Sequence, residues 1–307
     1  SRVQGRAVLV DDLPGAAAAV REELVTQMSP KSMTVDRRNG QRSVLTWQPY
    51  RAETHGMTPI RTDGVYLITG GAGGIALHLA ENYGAKVTVC GRSLPNIIAE
   101  KAADLPPDLT IHYVQADVAD PSQVDDLVAG ILAREGRLDG VFHAAGVTRD
   151  AFLTRKRSED MSEVLAAKLE GVLALDQATA GVPLGLFVMF SSVAAVTGNI
   201  GQSDYAFGNG FLDAFAVRRS ELVARGERSG RTLSIDWPLW DGGGMSVPDP
   251  VRAVLREQVG MIPMPVDVGL STLESLLALP PTRTSPVTCV FYGEIGAWRK
   301  HLSAFGV

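Results

Sequence analysis

The chain has 307 residues, is 45% hydrophobic and carries a formal net charge of −5, which is enough apolar material for one large domain or one large and one small. An acidic balance of this kind argues against binding to nucleic acid or an anionic membrane, because either would need a basic face. The sequence offers neither a run of about 18 apolar residues for a transmembrane helix nor a charged-then-apolar leader.

The start at Ser1, with no Met, reads as an excised or processed piece, and a soluble cytoplasmic setting is expected. Cys90 and Cys289 both sit in apolar, strand-like runs. Free buried thiols in a reducing compartment are the first reading, and a lone disulfide is the alternative.

Residues 1–60 read as a small appendage. "GRAVLVDD" predicts a strand, "AAAAVREELVTQM" a helix, and "SMTVDRRNGQRSVLTW" a hairpin about Asn39-Gly40, a pair suited to a two-residue I′ turn. These elements are too few to bury a core of their own, so a truncated structural subdomain packed on a main domain of residues 61–307 is expected.

From Gly64 the pattern changes to short apolar runs alternating with helical ones. The runs are "VYLITG", "KVTVCG", "TIHYVQ", "GVFHAAG", "LFVMFSS", "TLSIDW" and "VTCVFYG". Helices are expected from about Ile75, around Ile97–Asp104, from Pro121, across Glu159–Ala180 and from about Asp204. Strands this apolar with helices between them predict a doubly wound α/β fold around a mostly parallel seven-stranded sheet covered on both faces. Ligands of such sheets bind beyond the carboxyl ends of the strands.

"LITGGAGGIA" joins the first of these strands to its helix. Gly70, Gly71, Gly73 and Gly74 would let the backbone turn sharply and approach a pyrophosphate, which the helix N-terminus then binds. The spacing Thr69-Gly70-x-x-x-Gly74 resembles the short-chain dehydrogenase/reductase version of the dinucleotide loop, with Ala76 where that family usually has another glycine. The next strand ends "VCGRS": Arg92 offers a cation for a 2′-phosphate, and no acid lies nearby in the sequence, so NADPH is expected.

At the reacting end, Ser192 would emerge at the carboxyl end of "LFVMFSS", and Tyr205 would open the following helix. A ketone taking hydride on carbon needs a proton on oxygen. Tyrosine can supply it if a nearby cation lowers a pKa of about 10, while a serine hydroxyl donates to the developing oxyanion. Ordinary short-chain reductases carry Tyr-x-x-x-Lys. This chain has Tyr205-Ala-Phe-Gly-Asn209, with Lys168 in the preceding long helix.

Lys168, Ser192 and Tyr205-x-x-x-Asn209, together with "FHAAGV", "KLEG", "FSS", "YAFGNGFLDAF" and "IDWPLWDGGGM", resemble the ketoreductase domains of modular polyketide synthases. In that family lysine and asparagine have exchanged places. The resemblance covers about residues 64–279 and implies a Rossmann-like fold leaning on a structural half, of which residues 1–60 would be a shortened version. It implies that Tyr205 donates the proton, Ser192 polarises the carbonyl, and Lys168 lowers the tyrosine pKa and contacts ribose. Asn209 would position Lys168 or a water.

The resemblance further implies an NADPH site made by Thr69, Gly70, Gly71, Ala72, Gly73, Gly74, Ile75, Arg92, Ser93, Asp117, Val118, Ala144, Ala145, Gly146, Lys168, Tyr205 and Pro238. Stereocontrol and substrate contacts would fall to Asp150, Thr197, Gln202, Leu239, Trp240 and Met245. Asp150, together with Thr197 in place of a tryptophan, implies a B-type reductase giving the D-hydroxy product; as an alternative, Asp150 simply caps the coming segment. Trp240 is read equally as a core or a cleft residue. Gly242–Gly244 and the amphipathic stretch after them suit a hinged lid.

The implied substrate is a β-ketoacyl thioester on an acyl carrier protein, with neighbouring domains of the same synthase as further partners. The basic run "TRKR" (Thr154–Arg157) is the candidate docking patch for the acidic carrier. Three rival readings are a free-standing 3-ketoacyl-carrier-protein reductase, a redox-silent structural or epimerising domain, and a pure binding or scaffold module that would bind NADPH weakly or not at all. Metal catalysis finds no ligand set, since His78, His112 and His143 fall on separate elements. A serine hydrolase would need a Gly-x-Ser-x-Gly elbow, which Ser192 lacks.

Overall fold

A computed structural model describes residues 7–10, 17–22, 34–38, 41–44, 58–70, 74–94, 109–242, 249–280 and 285–303. The chain divides into two compact units: Ser1–Arg51 with Pro248–Ile262 and Gly293–Val307, and Ala52–Val247 with Pro263–Tyr292. The first compact unit gathers three separate stretches of chain.

In that first unit β1 (Ala7–Val10) pairs parallel with β2 (Thr34–Arg38), and β2 pairs antiparallel with β3 (Gln41–Val44). Residues 17–22, between β1 and β2, are helical. The expected Asn39-Gly40 turn lies outside the described residues, as does the helix expected around Ile97–Asp104.

The second unit opens with β4 (Val65–Thr69), every residue of which is buried, and α1 (Gly74–Tyr83). There follow β5 (Lys86–Gly91), β6 (Ile111–Gln115), α2 (Pro121–Glu135) and β7 (Gly140–His143). Next come α3 (Ser158–Ala178), β8 (Leu186–Ser192), α4 (Ser203–Ala224) and β9 (Arg231–Trp237). Helix α5 (Asp249–Val259) belongs to the first unit; α6 (Val266–Ala278) and β10 (Val287–Cys289) return to the second, and α7 (Ile295–Ser303) to the first.

The seven expected strands form one sheet in the order β10-β9-β8-β7-β4-β5-β6, and every pairing is parallel. Because the strands are covered on both faces, their sequences run nearly continuously apolar. On one face Ile68, Val89, Phe142, Val188 and Ile235 pack under Leu79 of α1 and Leu273 and Leu277 of α6. On the other, Leu67, Val141, Phe187 and Met189 pack under Val124 and Leu127 of α2, Leu175 of α3 and Leu212 of α4.

Local signals set the element ends. Helix α2 starts where the Asp120 carboxylate accepts the Ser122 and Gln123 N–H groups, with Pro121 in its first turn, and it stops at Gly136, whose φ is +73°. Cys90 and Cys289 are free thiols. Among the described residues no helix is long and apolar enough to cross a membrane.

The chain leaves β4 toward β5 on one side and enters β7 on the other. The carboxyl ends of β4 and β7 are therefore a topological switch point, where an open parallel sheet offers a crevice to a ligand.

Candidate active site

Gly70 follows β4 with φ +76°, and a Cβ there would stand 2.4 Å from the Ala145 Cα. Both the left-handed backbone and the contact with the Ala144-Ala145 segment after β7 require glycine. The Ala144 N–H donates to the Thr69 carbonyl at 2.9 Å, and the buried Thr69 hydroxyl meets His143 Nδ1 at 2.7 Å. Burial holds the His143 imidazole down at about 3, helped by the nearby Lys168 ammonium, so the ring is neutral.

A Cβ on Gly74 would stand 2.9 Å from Val266 Cγ1, so the start of α1 packs tightly on α6, with Ile75 beside it partly buried. Gly71, Ala72 and Gly73 lie outside the described residues. Asp117 is held by its backbone, its N–H donating to Gln123 and its carboxylate accepting the Ala119 N–H. Val118 packs against Gly171 of α3.

Arg92 and Ser93 are exposed just beyond β5. The sequence placed no acid near Arg92, but the fold does. Glu163 of α3 accepts Arg92 Nη2 at 3.2 Å and takes two hydrogen bonds from Arg149 at 2.9 and 3.0 Å. Neither Glu163 nor Arg149 could be picked from the sequence, because only the packing of α3 brings them to the end of β5.

Tyr205 sits in the first turn of α4, buried, with its backbone N–H on the Asp204 carboxylate. Burial pushes its phenol up from the usual 10, hydrogen bonding with Ser192 and Asn209 pulls it back, and the Asp150 carboxylate raises it. The Asn209 amide donates to the Tyr205 carbonyl at 2.8 Å, which leaves its fully buried Oδ1 without a hydrogen-bond partner.

Lys168 is 3% exposed, and its Nζ donates to the Phe190 carbonyl at 2.7 Å. Two glycines flank its side chain. A Cβ on Gly146 would come within 2.9 Å of its Cε, and one on Gly208 within 3.4 Å of its Cβ and Cγ. Burial lowers the ammonium pKa to about 8, and the Asp213 carboxylate works the other way.

The loops beside this cluster hold the expected stereocontrol residues. Gln202 Nε2 donates to both Asp150 oxygens at 3.1 and 3.0 Å, Asn199 donates to Gln202 Oε1, and the Ala151 N–H donates to the Gly201 carbonyl. Thr197 turns its hydroxyl back to the Val193 and Gly198 carbonyls. Pro238 is buried and Leu239 partly so, and Trp240 packs over Gly269 with its ring 5.0 Å from that of Trp237. Its described contacts are with this apolar cluster. Met245, Gly243 and Gly244 lie outside the described residues, and the amphipathic stretch expected as a lid is α5, in the other compact unit.

One expectation is corrected. The "TRKR" run is not uniformly a surface patch: Lys156 is buried against Asp204 at 2.9 Å, with further hydrogen bonds to the Arg149 and Gly201 carbonyls. Arg155 and Arg157 remain exposed.

A dinucleotide fits these residues. A Gly70 cradle that any Cβ would fill, a helix start beside it, a buried cation and an unpartnered Asn209 oxygen line the ends of β4, β7 and β8.

The KR domain profile matches residues 64–242. Polyketide synthase PksN of Bacillus subtilis is 36% identical over 285 residues, 90% of this chain, and polyketide synthase ThaG of Burkholderia thailandensis is 40% identical over 258 residues, 80% of it. The chain spans only 5% and 4% of those two proteins. A crystal structure of a ketoreductase domain from the bacillaene assembly line superposes with a TM-score of 0.85 at 32% identity, covering 97% of this chain and 72% of that one.

Proposed function

The chain belongs to the KR-domain family, the ketoreductases of the short-chain dehydrogenase/reductase superfamily, and from that premise we propose that it reduces a β-ketoacyl thioester to a 3-hydroxyacyl thioester with NADPH. The observation that carries the reading is the buried Tyr205 phenol, facing Ser192 and Asn209, on the same helix as Gly208, which packs against the Lys168 side chain.

When bound, the reduced nicotinamide supplies the hydride. Thr69, Gly70, Gly74, Ala144, Ala145, Gly146 and Lys168 would hold the dinucleotide, and Arg92 would supply the cation for its 2′-phosphate. Ser192 donates to the ketone oxygen as charge develops there. Tyr205 is protonated at neutral pH, as a phenol is at its ordinary pKa of about 10, burial raises it further, and it gives its phenolic hydrogen to that oxygen as charge develops there. Lys168 offsets the resulting phenolate charge, and Asn209 Oδ1 accepts from Lys168 or from a water that returns the proton.

Asp150, tied to Gln202, orients the ketone for B-type reduction to the D-hydroxy product. The substrate arrives on an acyl carrier protein in the cytoplasm, a compartment compatible with the two free cysteines. Arg155 and Arg157 are the residues of the basic run left to meet the carrier's acidic surface.

The test is loss of 340 nm absorbance with a short β-ketoacyl thioester, comparing NADPH with NADH, for the wild type and Tyr205→Phe. Turnover with NADPH should fall by about 10²–10⁴ in the variant, and chiral analysis of the product should give the D-hydroxy hand. NADPH binding without consumption would instead identify a redox-silent domain.

A further inference from the structure

Behind Lys168, on the face of the sheet covered by α4, lies a polar cluster that the reductase reading does not use. Ser191 of β8, Asp236 of β9 and Cys289 of β10 are successive register partners across three parallel strands, so their side chains leave the same face. Ser234, two residues before Asp236, shares that face. Above them, Tyr205, Asn209 and Asp213 follow one another at four-residue spacing along one side of α4.

The hydrogens available to this cluster are few. The Ser234 hydroxyl donates to Asp213 Oδ1 at 2.7 Å, and the Ser191 hydroxyl is directed to the Asn209 carbonyl at 3.2 Å. Asp236 is fully buried, and neither of its oxygens meets a donor in hydrogen-bonding geometry, although Asp213 and Ser191 face it. Two ionised carboxyls cannot stand side by side in a site this dry.

We propose that Asp213 and Asp236 share one proton, carried on Asp236, and that the remaining negative charge on Asp213 is the buried counter-charge that keeps Lys168 an ammonium. The pair are positioning residues: they act through Lys168 and touch no reacting atom. The inference rests on the role given to Lys168 above.

Each group facing the pair fits this division. Burial, then the neighbouring Asp213, push Asp236 well above the ordinary carboxyl range. Burial raises Asp213 to about 6, against the hydrogen bond from Ser234 and the pull of Lys168. Asp213 therefore ionises first, while Asp236 keeps its hydrogen. The Cys289 thiol is held protonated by burial and by both carboxyls. His143, near Lys168, is neutral, and the Tyr205 phenol is protonated. Asp150 acts on Tyr205, and Asp213 is the charge that supports the ammonium. The direct hydrogen-bond acceptor of Lys168, the Phe190 carbonyl, is uncharged.

Lysine labelled with 13C at Cε tests this without requiring turnover. The chain has six lysines, and Lys168→Arg assigns the signal. Asp213→Asn should lower the Lys168 titration midpoint by about one pH unit. Asp236→Asn, whose amide still donates to Asp213, should leave that midpoint in place. Infrared spectra of the wild type near pH 7 should show a protonated carboxyl band that Asp236→Asn removes.

In an active preparation the basic limb of kcat/KM should move with the Lys168 midpoint in Asp213→Asn. A Lys168 midpoint unmoved by Asp213→Asn overturns the proposal, as does an equal fall in both Asn variants. So does the absence of the infrared band, which needs no folded variant to detect. If NADPH is not consumed at all, the reductase reading fails, while the lysine titration still decides this one.

Discussion

At the scale of single residues, two side-chain decisions shape the site. Gly70 has no substitute, because its φ of +76° disfavours any Cβ and the Ala145 backbone occupies the space one would need. Gly70→Ala should lower the melting temperature and abolish the fluorescence change on NADPH addition; intact binding would show that the loop can shift without loss. Lys168 is the opposite case, a residue that destabilises the fold it serves. Its native pKa near 8 lies below the 10.5 of an exposed lysine because burial disfavours the charge. Below pH 8 the lysine is charged in both folded and unfolded chains, and the full burial cost is present. Between pH 8 and 10.5 the native lysine releases a proton that the unfolded chain keeps, so stability rises with pH across that window. Lys168→Met should therefore be more stable than wild type by up to about 3 kcal/mol at pH 7, with the gap narrowing toward pH 10. Denaturant melts at the two pH values read this directly, and a gap that does not narrow would sink the argument.

Between elements, the packing of α3 against α4 decides where the chemistry sits. Gly208 lets the two helices approach over Lys168, and further along the same pair Arg219 closes the contact. The Arg219 side chain is fully buried. It donates to Asp176 of α3 at 2.8 Å and to Thr232 of β9 at 2.7 Å, with its guanidinium 4.1 Å from the Phe187 ring centroid. Asp176 also accepts from Arg228 at 3.0 Å. Removing Arg219 leaves Asp176 paired with Arg228 alone, whereas removing Asp176 leaves the Arg219 guanidinium buried without a carboxylate. Asp176→Leu, which strands the buried Arg219, should cost about 3–5 kcal/mol in urea unfolding, and Arg219→Met with Asp176→Leu should cost less than the two single changes summed. An additive pair would mean that the two residues do not depend on each other. The elements themselves were legible, because each strand of the large sheet is a short apolar run set between helical patterns. The start of α2 was legible at Pro121, whereas its stop at Gly136 shows only in the structure.

Across the whole molecule, what could be read in advance depends on how far apart in the chain the partners lie. Ser192, Tyr205 and Asn209 fall within 18 residues of one another, and a strand, loop and helix bring them together whatever the rest does. Lys168 could be named only through a family resemblance, since an isolated lysine among apolar neighbours has no local signature. Glu163, Asp213 and Asp236 were missed because helix packing alone makes them neighbours of Arg92 and Lys168. The same reasoning bears on nucleotide choice. Arg92 shares Glu163 with Arg149, so a 2′-phosphate would compete with a carboxylate for the guanidinium, and the ratio of NADPH to NADH affinity would measure how far it wins. Ligand that binds only the folded chain stabilises it by about 2.7 kcal/mol at a hundredfold excess over Kd. At equal concentrations NADPH should therefore raise the melting temperature more than NADH. Arg92→Ala should bring the NADPH shift down to the NADH value and leave the NADH shift unchanged. Equal shifts in the wild type would remove Arg92 from the specificity argument. A loss of both shifts in the variant would make Arg92 a support for the fold rather than a reader of the phosphate.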